Sequence, residues 1–286
     1  MAKSIQTLIE DIHSLINPEN HKEPDQENLR LFLEGITKVL TKVCHKDEPR
    51  DGSRVLRMSS LGKPARQLWY DSKMPAGETQ SKYPGSKLVS FLYGSVMEEV
   101  LLFLAREAGH KVEHQQKKVE FEGIQGSLDC YIDGVLTDVK TASGRAFGKF
   151  SEGGILRGDD PFGYIAQISG YSQAEDQDKA AFWSLNKETG EMNLLTVNEL
   201  DLIDVSPLIK QLKAALARDT PPPKCYEDEA YGASGNRGLA KGCVFFPHKH
   251  KCWENLRVFN YAKGPEYLTK VVKTPNVEEI THKIKK

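Results

Sequence analysis

The stretch "GSLDCYIDGVLTDVKTAS", residues 126–143, decides the fold. Leu128, Tyr131, Ile132, Val135, Leu136 and Val139 supply the β-branched and aromatic content of two short strands. Asp133-Gly134 between them is a two-residue hairpin signal, because glycine tolerates a positive φ. Asp133 is therefore expected in the turn, with its carboxylate in water. Asp129 is expected on the first strand. Asp138 and Lys140 fall on the second, two residues apart, and so point to one face of the sheet. Taken alone, these residues fit a solvated strand face with a surface ion pair as well as they fit a reactive centre.

Outward from this hairpin the chain alternates helices and strands. Leu88, Phe91, Leu92, Met97, Val100, Leu101, Phe103 and Leu104 recur at helical offsets from Lys87 to the stop at Gly109. "KVEHQQKKVEFEG" reads as one alternating strand before the hairpin. After it come a helix through Ile165, Ile168 and Tyr171, two strands in "AAFWSLNKETGEMNLLTV", and a helix in "VSPLIKQLKAALARD". That order predicts a mixed α/β fold, a central mixed sheet flanked by helices. Upstream, Ile5, Leu8, Ile9, Ile12, Leu15 and Ile16, then Leu29 to Val43, make a helical N-terminal region over residues 1–50. It is read as packed on the main core, with an oligomer-forming element as the alternative. Residues 51–260 are taken as the core with a cysteine-containing segment, and 261–286 as a tail.

Composition sets bounds. The 286 residues carry 39 Lys plus Arg against 40 Asp plus Glu, a net charge of −1, which speaks against wholesale polyanion coating but leaves room for a local basic groove. No apolar run looks to approach the ~18 residues of a membrane span, so no membrane partner is expected. The N-terminus places acids inside an amphipathic pattern, unlike a secretory signal. Five unevenly spread cysteines suggest a reducing interior rather than a disulfide scaffold. Together these predict a cytoplasmic, non-secreted protein.

Certain side chains form a chemical pattern. Glu98 lies on the helix before the sheet, Asp129, Asp138 and Lys140 on the strands, and Gln167 and Tyr171 one turn apart on the next helix. Each has a plain alternative: Glu98 and Glu99 as a solvated helix face, Gln167 as a surface residue, Tyr171 as a core residue with a wet hydroxyl. Jointly they suit phosphodiester hydrolysis. Carboxylates converging from a helix and two strands can bind one or two Mg²⁺ or Mn²⁺ ions, with the Val139 carbonyl as a further oxygen donor. Lys140 can act on the attacking water or the phosphate charge, Gln167 can position the lysine or the phosphate, and Tyr171 can reach the backbone.

The pattern resembles the PD-(D/E)XK nuclease superfamily over residues 55–255, and within it the RecB-like branch, which includes lambda-type exonucleases and the CRISPR adaptation nucleases. Gly94 to Glu98 match its G-x-x-x-E helix, Gly126 to Asp129 its G-x-x-D strand, Asp138-Val139-Lys140 its D/E-x-K strand, and Gln167 to Tyr171 its Q-x-x-x-Y helix. The resemblance implies a restriction-endonuclease-like core and a metal-dependent exonuclease acting on single- or double-stranded DNA ends in recombination, repair or replication. It assigns Glu98, Asp129, Asp138 and Val139 to the metal, and Lys140, Gln167 and Tyr171 to catalysis. An endonuclease on the same core and a degenerate DNA-binding subunit are the alternatives. Arg66, Lys73, Lys82 and Lys87 are candidate DNA contacts, and Trp69, Tyr70 and Tyr83 either stack on an unpaired base or pack in the core.

"SSLGKPARQLWY" is also similar to iron–sulfur members of this branch, in which a cysteine precedes a Pro-Arg pair and three more lie near the C-terminus. Here Pro64 holds that first position, while Cys225, Cys243 and Cys252 remain. Three readings follow: thiols left from a lost cluster, which is preferred; a Zn²⁺ site completed by His248 or His250; or an iron–sulfur site completed by Cys44.

Overall fold

The computed structural model describes residues 3–44, 56–73, 85–244 and 246–280. Lys82, a candidate DNA contact, and Tyr83, read as stacking on a base or packing in the core, lie outside them. In chain order the helices begin with α1 (Leu8–Ile16), α2 (Gln26–Cys44), α3 (Ala65–Lys73) and α4 (Gly85–Glu107). Strands β1 (Val112–Glu113), β2 (Lys118–Phe121), β3 (Ile124–Ser127), β4 (Cys130–Ile132) and β5 (Val135–Ala142) follow. Then come α5 (Gly144–Ser151), α6 (Tyr164–Ala174), β6 (Ala180–Asn186), β7 (Met192–Val197) and α7 (Ser206–Leu216). Last are β8 (Glu229–Tyr231), β9 (Asn236–Gly238), two single-turn helices, β10 (Arg257–Tyr261), β11 (Gly264–Lys270) and β12 (Glu279–Ile280).

The chain forms two compact units. The first, Met1–Lys63 with Tyr83–Leu212, is built on a sheet ordered β1-β4-β5-β6-β7, in which β5 and β6 run parallel and every other pair antiparallel. One face is covered by α1 and α4: Ile5, Leu8, Ile12, Leu101, Leu102 and Ala105 pack on Ile132, Val139 and Trp183. Each fully buried aliphatic side chain there contributes about 1.5–3 kcal/mol. On the other face Phe150 of α5 and Tyr164 of α6 meet Phe182, at 5.6 and 6.2 Å between ring centroids. Phe182 is in register with Asp138 and Trp183 with Val139, so Asp138 faces α5 and α6 while Val139 faces α1 and α4. Both faces being covered, every residue of β6 is buried.

The second unit, Pro64–Lys82 with Lys213–Lys286, holds α3 and an antiparallel sheet ordered β12-β10-β11-β9-β8. Its core gathers Leu239, Cys243, Phe246, Cys252 and Trp253. Residues 261–286, set apart above as a tail, supply β11 and β12 to this sheet, β11 at its centre.

Four expectations change. The strand read across residues 111–123 is two, because His114 (φ 53°) and Gln116 (φ 55°) take left-handed backbone between β1 and β2. Asp133 (φ 51°) and Gly134 (φ 82°) form the expected hairpin turn, yet Asp133 is not solvated. Its side chain is 7 % exposed, 2.7 Å from His110 Nδ1, and accepts from the Lys111 N–H at 2.9 Å. The hairpin tip folds back onto the exit of α4, and that burial supplies its partners. His110 Nε2 lies 3.1 Å from Asp11 Oδ2 on α1. Asp129 sits in the gap between β3 and β4, not on a strand. Finally, α4 has the length and hydropathy to cross a bilayer, against the expectation that no apolar run approaches a membrane span. Its C-terminal half packs on the sheet through Leu101, Leu102 and Ala105, while Leu88, Val89 and Phe91 near its start are exposed, and Glu98 and Glu99 lie along it.

α6 enters through Gly163 (φ 71°), whose backbone lies against Gly62: a Cβ on Gly62 would sit 2.1 Å from Gly163 Cα. Because backbone cannot yield as a side chain tip does, Gly62→Ala is expected to destabilise the fold by about 1–3 kcal/mol. Thermal melting checks this, and an unchanged Tm would mean that the two segments part without cost.

Candidate active site

The site occupies a split in the first sheet. β4 pairs with β5 only as far as Cys130↔Thr137, while β6 holds β5 through Ala142. Beyond Thr137 the free edge of β5 meets Asp129, whose Oδ2 accepts the Val139 N–H at 2.9 Å. The N–H and C=O of one strand residue leave on the same edge, so the Val139 carbonyl also opens into the split.

The motif glycines have steric reasons. A Cβ on Gly126 would lie 2.5 Å from Tyr171 Cε1 and from Met58 Cγ. Tyr171 is thereby laid across β3 and donates its hydroxyl proton to the Ser127 carbonyl at 2.9 Å. A Cβ on Gly94 would be 3.3 Å from Thr141 Oγ1, so glycine keeps α4 close to β5. One turn on, Glu98 accepts from Gln116 Nε2 at 2.8 Å, and the same nitrogen lies 3.4 Å from Asp129 Oδ1. Glu99 is no solvated residue either: it is buried and accepts from Gln115 Nε2 at 2.8 Å.

On the α5 and α6 face, Lys140 Nζ is 2.5 Å from Asp138 Oδ2 and stands 5.2 Å from the Tyr164 ring centroid. Gln167 Nε2 donates to Asp138 Oδ1 at 3.3 Å. Asp138 is 1 % exposed. The structure thus brings Glu98, Asp129, Asp138, Lys140 and Gln167 together with the Val139 backbone, and ties Tyr171 to the adjoining strand.

Crowded carboxylates shift one another. Burial and then the Asp129 charge push Glu98 up to about 8. Burial and then the Asp138 charge push Asp129 up to about 7, against the pull of Lys140 and the Val139 N–H. For Lys140 burial works against the charged form, but Asp138 and Asp129 more than offset it and its pKa is raised. A lysine held so is an ammonium at neutral pH.

Among the described residues no three His, Cys, Asp or Glu side chains already stand as a metal-binding set. Lys140 and Gln167 lie against the two oxygens of Asp138. The donor chemistry nevertheless fits a hard divalent cation: carboxylate oxygens and one carbonyl at a point where negative charge is unfavourable without a counter-ion.

Gln116 and Tyr164 were not singled out from the sequence. Gln116 sits in an irregular turn, and only the polarity of "HQQKK" marked the place; Tyr164 opened a helix whose period drew attention to Ile165 and Ile168. Of the candidate DNA contacts, Lys87 lines a cavity with Lys140. Arg66 and Lys73 belong to the second unit. Arg66 is engaged there, donating to Cys252 Sγ at 3.0 Å and to the Pro222 carbonyl. Lys73 lies 5.7 Å from the Trp69 ring centroid. Trp69 donates to the Arg218 carbonyl at 2.8 Å and Tyr70 to that of Lys251 at 3.2 Å.

Cys225, Cys243 and Cys252 line one small cavity of about 10 Å³ in the second unit, room for about one water. Burial raises the Cys225 and Cys243 thiols. His248 does not line that cavity; its Nε2 is 3.2 Å from Asp71 Oδ1. Cys44 is exposed at the end of α2 in the first unit. With Pro64 where the first cysteine would stand, the donor set does not fit a four-thiolate cluster.

No family model matches the chain, and no curated protein does. Solved structures do. The protein SSO0001 aligns over 70% of this chain and 90% of its own, at 14% identity and TM-score 0.41. A phage-related exonuclease from Haemophilus somnus 129PT aligns over 55% and 88%, at 16% identity and TM-score 0.35. The alkaline exonuclease LHK-Exo from Laribacter hongkongensis aligns over 58% and 92%, at 14% identity and TM-score 0.35. At such scores the likeness carries no argument about function, which rests on the site itself.

The raised carboxyls couple stability to pH. Their folded-state pKa values exceed the unfolded ones near 4, so their contribution is fully present below about pH 4 and is lost as pH rises through about 7 and 8. Metal-free protein is expected to melt at lower temperature at pH 9 than at pH 6. Glu98→Gln removes one charge and keeps an acceptor for Gln116, so it should narrow that difference. Melts in chelator at both pH values check this, and an unaltered gap counts against the carboxylate crowding.

Proposed function

We propose that this chain is a metal-dependent deoxyribonuclease of the PD-(D/E)XK type, close to the RecB-like branch, that removes nucleotides from DNA ends. The observation that carries this reading is the meeting of Glu98, Asp129 and Asp138 with Lys140 at the split edge of β5. Glu98, Asp129, Asp138 and the Val139 carbonyl would hold Mg²⁺ or Mn²⁺. A bound divalent cation supplies charge neutralisation on the phosphate and lowers the pKa of water.

The chain's own groups do the rest. Lys140 offers an ammonium, fixed between Asp138 and the Tyr164 ring, to the phosphate oxygens and the attacking water. Such a preorganised cation acts on charge that develops in the transition state. Gln167 holds Asp138 in place. Tyr171 locks α6 to β3 and so sets the position of Gln167. Gln116 keeps Glu98 and Asp129 aimed at a common point.

Asp138→Ala is expected to abolish cleavage while sparing the fold, and Lys140→Ala to lower the single-turnover rate roughly 100-fold or more. End-labelled DNA with Mg²⁺, then with Mn²⁺, measures both; wild-type rates in either variant remove that residue from the chemistry. Linear DNA is expected to disappear far faster than covalently closed circles. Equal rates, or discrete fragments from the circle, would replace exonuclease with endonuclease on the same site.

A further inference from the structure

Beside Lys140, within the first unit, lies a cavity of about 200 Å³ that the metal-binding groups do not use. Lys87 from the first turn of α4, Lys140, Lys149 and Phe150 of α5, Phe162 and Tyr164 are among its walls. We propose that this cavity receives the base and sugar of the nucleotide at the DNA end, with its phosphate turned towards Lys140. The proposal rests on the nuclease reading and adds to it the part of the substrate that is gripped.

Three features point the same way. The first is aromatic. Phe162 is 62 % exposed, an apolar ring left in water at the mouth of a pocket. It is not loose: its centroid is 5.6 Å from that of Tyr164, which is 5.7 Å from Phe150 and 6.2 Å from Phe182 in the sheet. A ladder of rings anchored in the core and ending at an exposed face is a stacking platform for a base, and stacking tolerates every base. The second is charge. Three lysines and one carboxylate, Asp159, line the space, and Lys149 pairs with Asp159 at 2.5 Å. Asp159 is exposed, so its pair with Lys149 is screened by water and the three lysines keep the space cationic. The third is size. The volume suits one base with its sugar and does not admit a duplex, as a site that takes ends one nucleotide at a time requires.

The same geometry orders the parts. Lys140 belongs to both the cavity and the Asp138 pair. A nucleotide stacked on Phe162 would therefore have its phosphate next to the carboxylates, which positions a scissile bond before any metal acts.

The test uses the full chain and the four deoxynucleoside monophosphates, as 5′- and as 3′-phosphates, in chelator so that no turnover is needed. Calorimetric titration is expected to show binding by the wild type, with little preference among bases. Phe162→Ala, at an exposed position, and Lys149→Gln, at a half-buried one, should each weaken it roughly 10-fold. On linear DNA the same variants should raise KM by a similar factor. If the wild type binds no mononucleotide at millimolar concentration, or if both variants bind mononucleotides and DNA ends as the wild type does, the cavity is only a solvent-filled dent and the proposal fails. Should the wild type cut no DNA at all, the nuclease reading falls, while the titration still decides what the cavity holds.

Discussion

The hydrogen bond from the Val139 N–H to Asp129 Oδ2 stands where a strand would otherwise continue. A backbone donor on a half-buried sheet edge needs an acceptor, and here a side chain provides it. That exchange lets β4 stop at Cys130 while β5 runs on to Ala142. It leaves the Val139 carbonyl facing the opening and holds one carboxylate at the rim. The rest is arranged about this gap. α4 approaches closely enough through Gly94 to bring Glu98 in from one face, and α6 brings Gln167 and Tyr171 from the other. A fully paired strand would have filled the space.

The acidic groups around the gap disfavour one another's charge, and the fold carries this cost in order to keep them there. Gln116 and the Val139 N–H ease it with neutral donors, and Lys140 with a cation. Neutral donors relieve repulsion without competing as ligands, because an amide or a backbone N–H can shift by a fraction of an ångström where a counter-ion would have to leave. The tight Lys140–Asp138 pair is the exception, and it fixes the lysine against that carboxylate.

How much the sequence disclosed depends on how local each determinant is. Asp133-Gly134 gave the hairpin because positive φ is a property of those two residues. Asp138 and Lys140 share a face because strand period is local, and Gln167 and Tyr171 because helix period is. What stayed hidden depends on distant partners. The burial of Asp133 comes from His110, twenty-three positions earlier. Gln116 has no periodicity to betray it, and its importance appears only when Glu98 and Asp129 are seen on either side. The second unit was illegible because its strands are short, irregular and paired with α3 from far upstream, so its final strands passed for a tail. The three cysteines share a cavity, yet no count of thiols in the sequence shows that Arg66 reaches one of them.

The helical N-terminal segment has a part that its remoteness from the motifs conceals. Ile5, Leu8 and Ile12 lie at 4%, 0% and 0% exposure in the same cluster as Val139 and Trp183, and Asp11 reaches His110 beyond the far end of α4. A minimal fragment drawn around the motifs, from α4 to α6, would contain every carboxylate, the lysine, the glutamine and the tyrosine. It would still lack the floor beneath Val139, and water would reach the underside of the strand that displays the chemistry. The boundary of the working unit is therefore set by the apolar face of a helix in the first seventeen residues, not by the outermost residue with a chemical role.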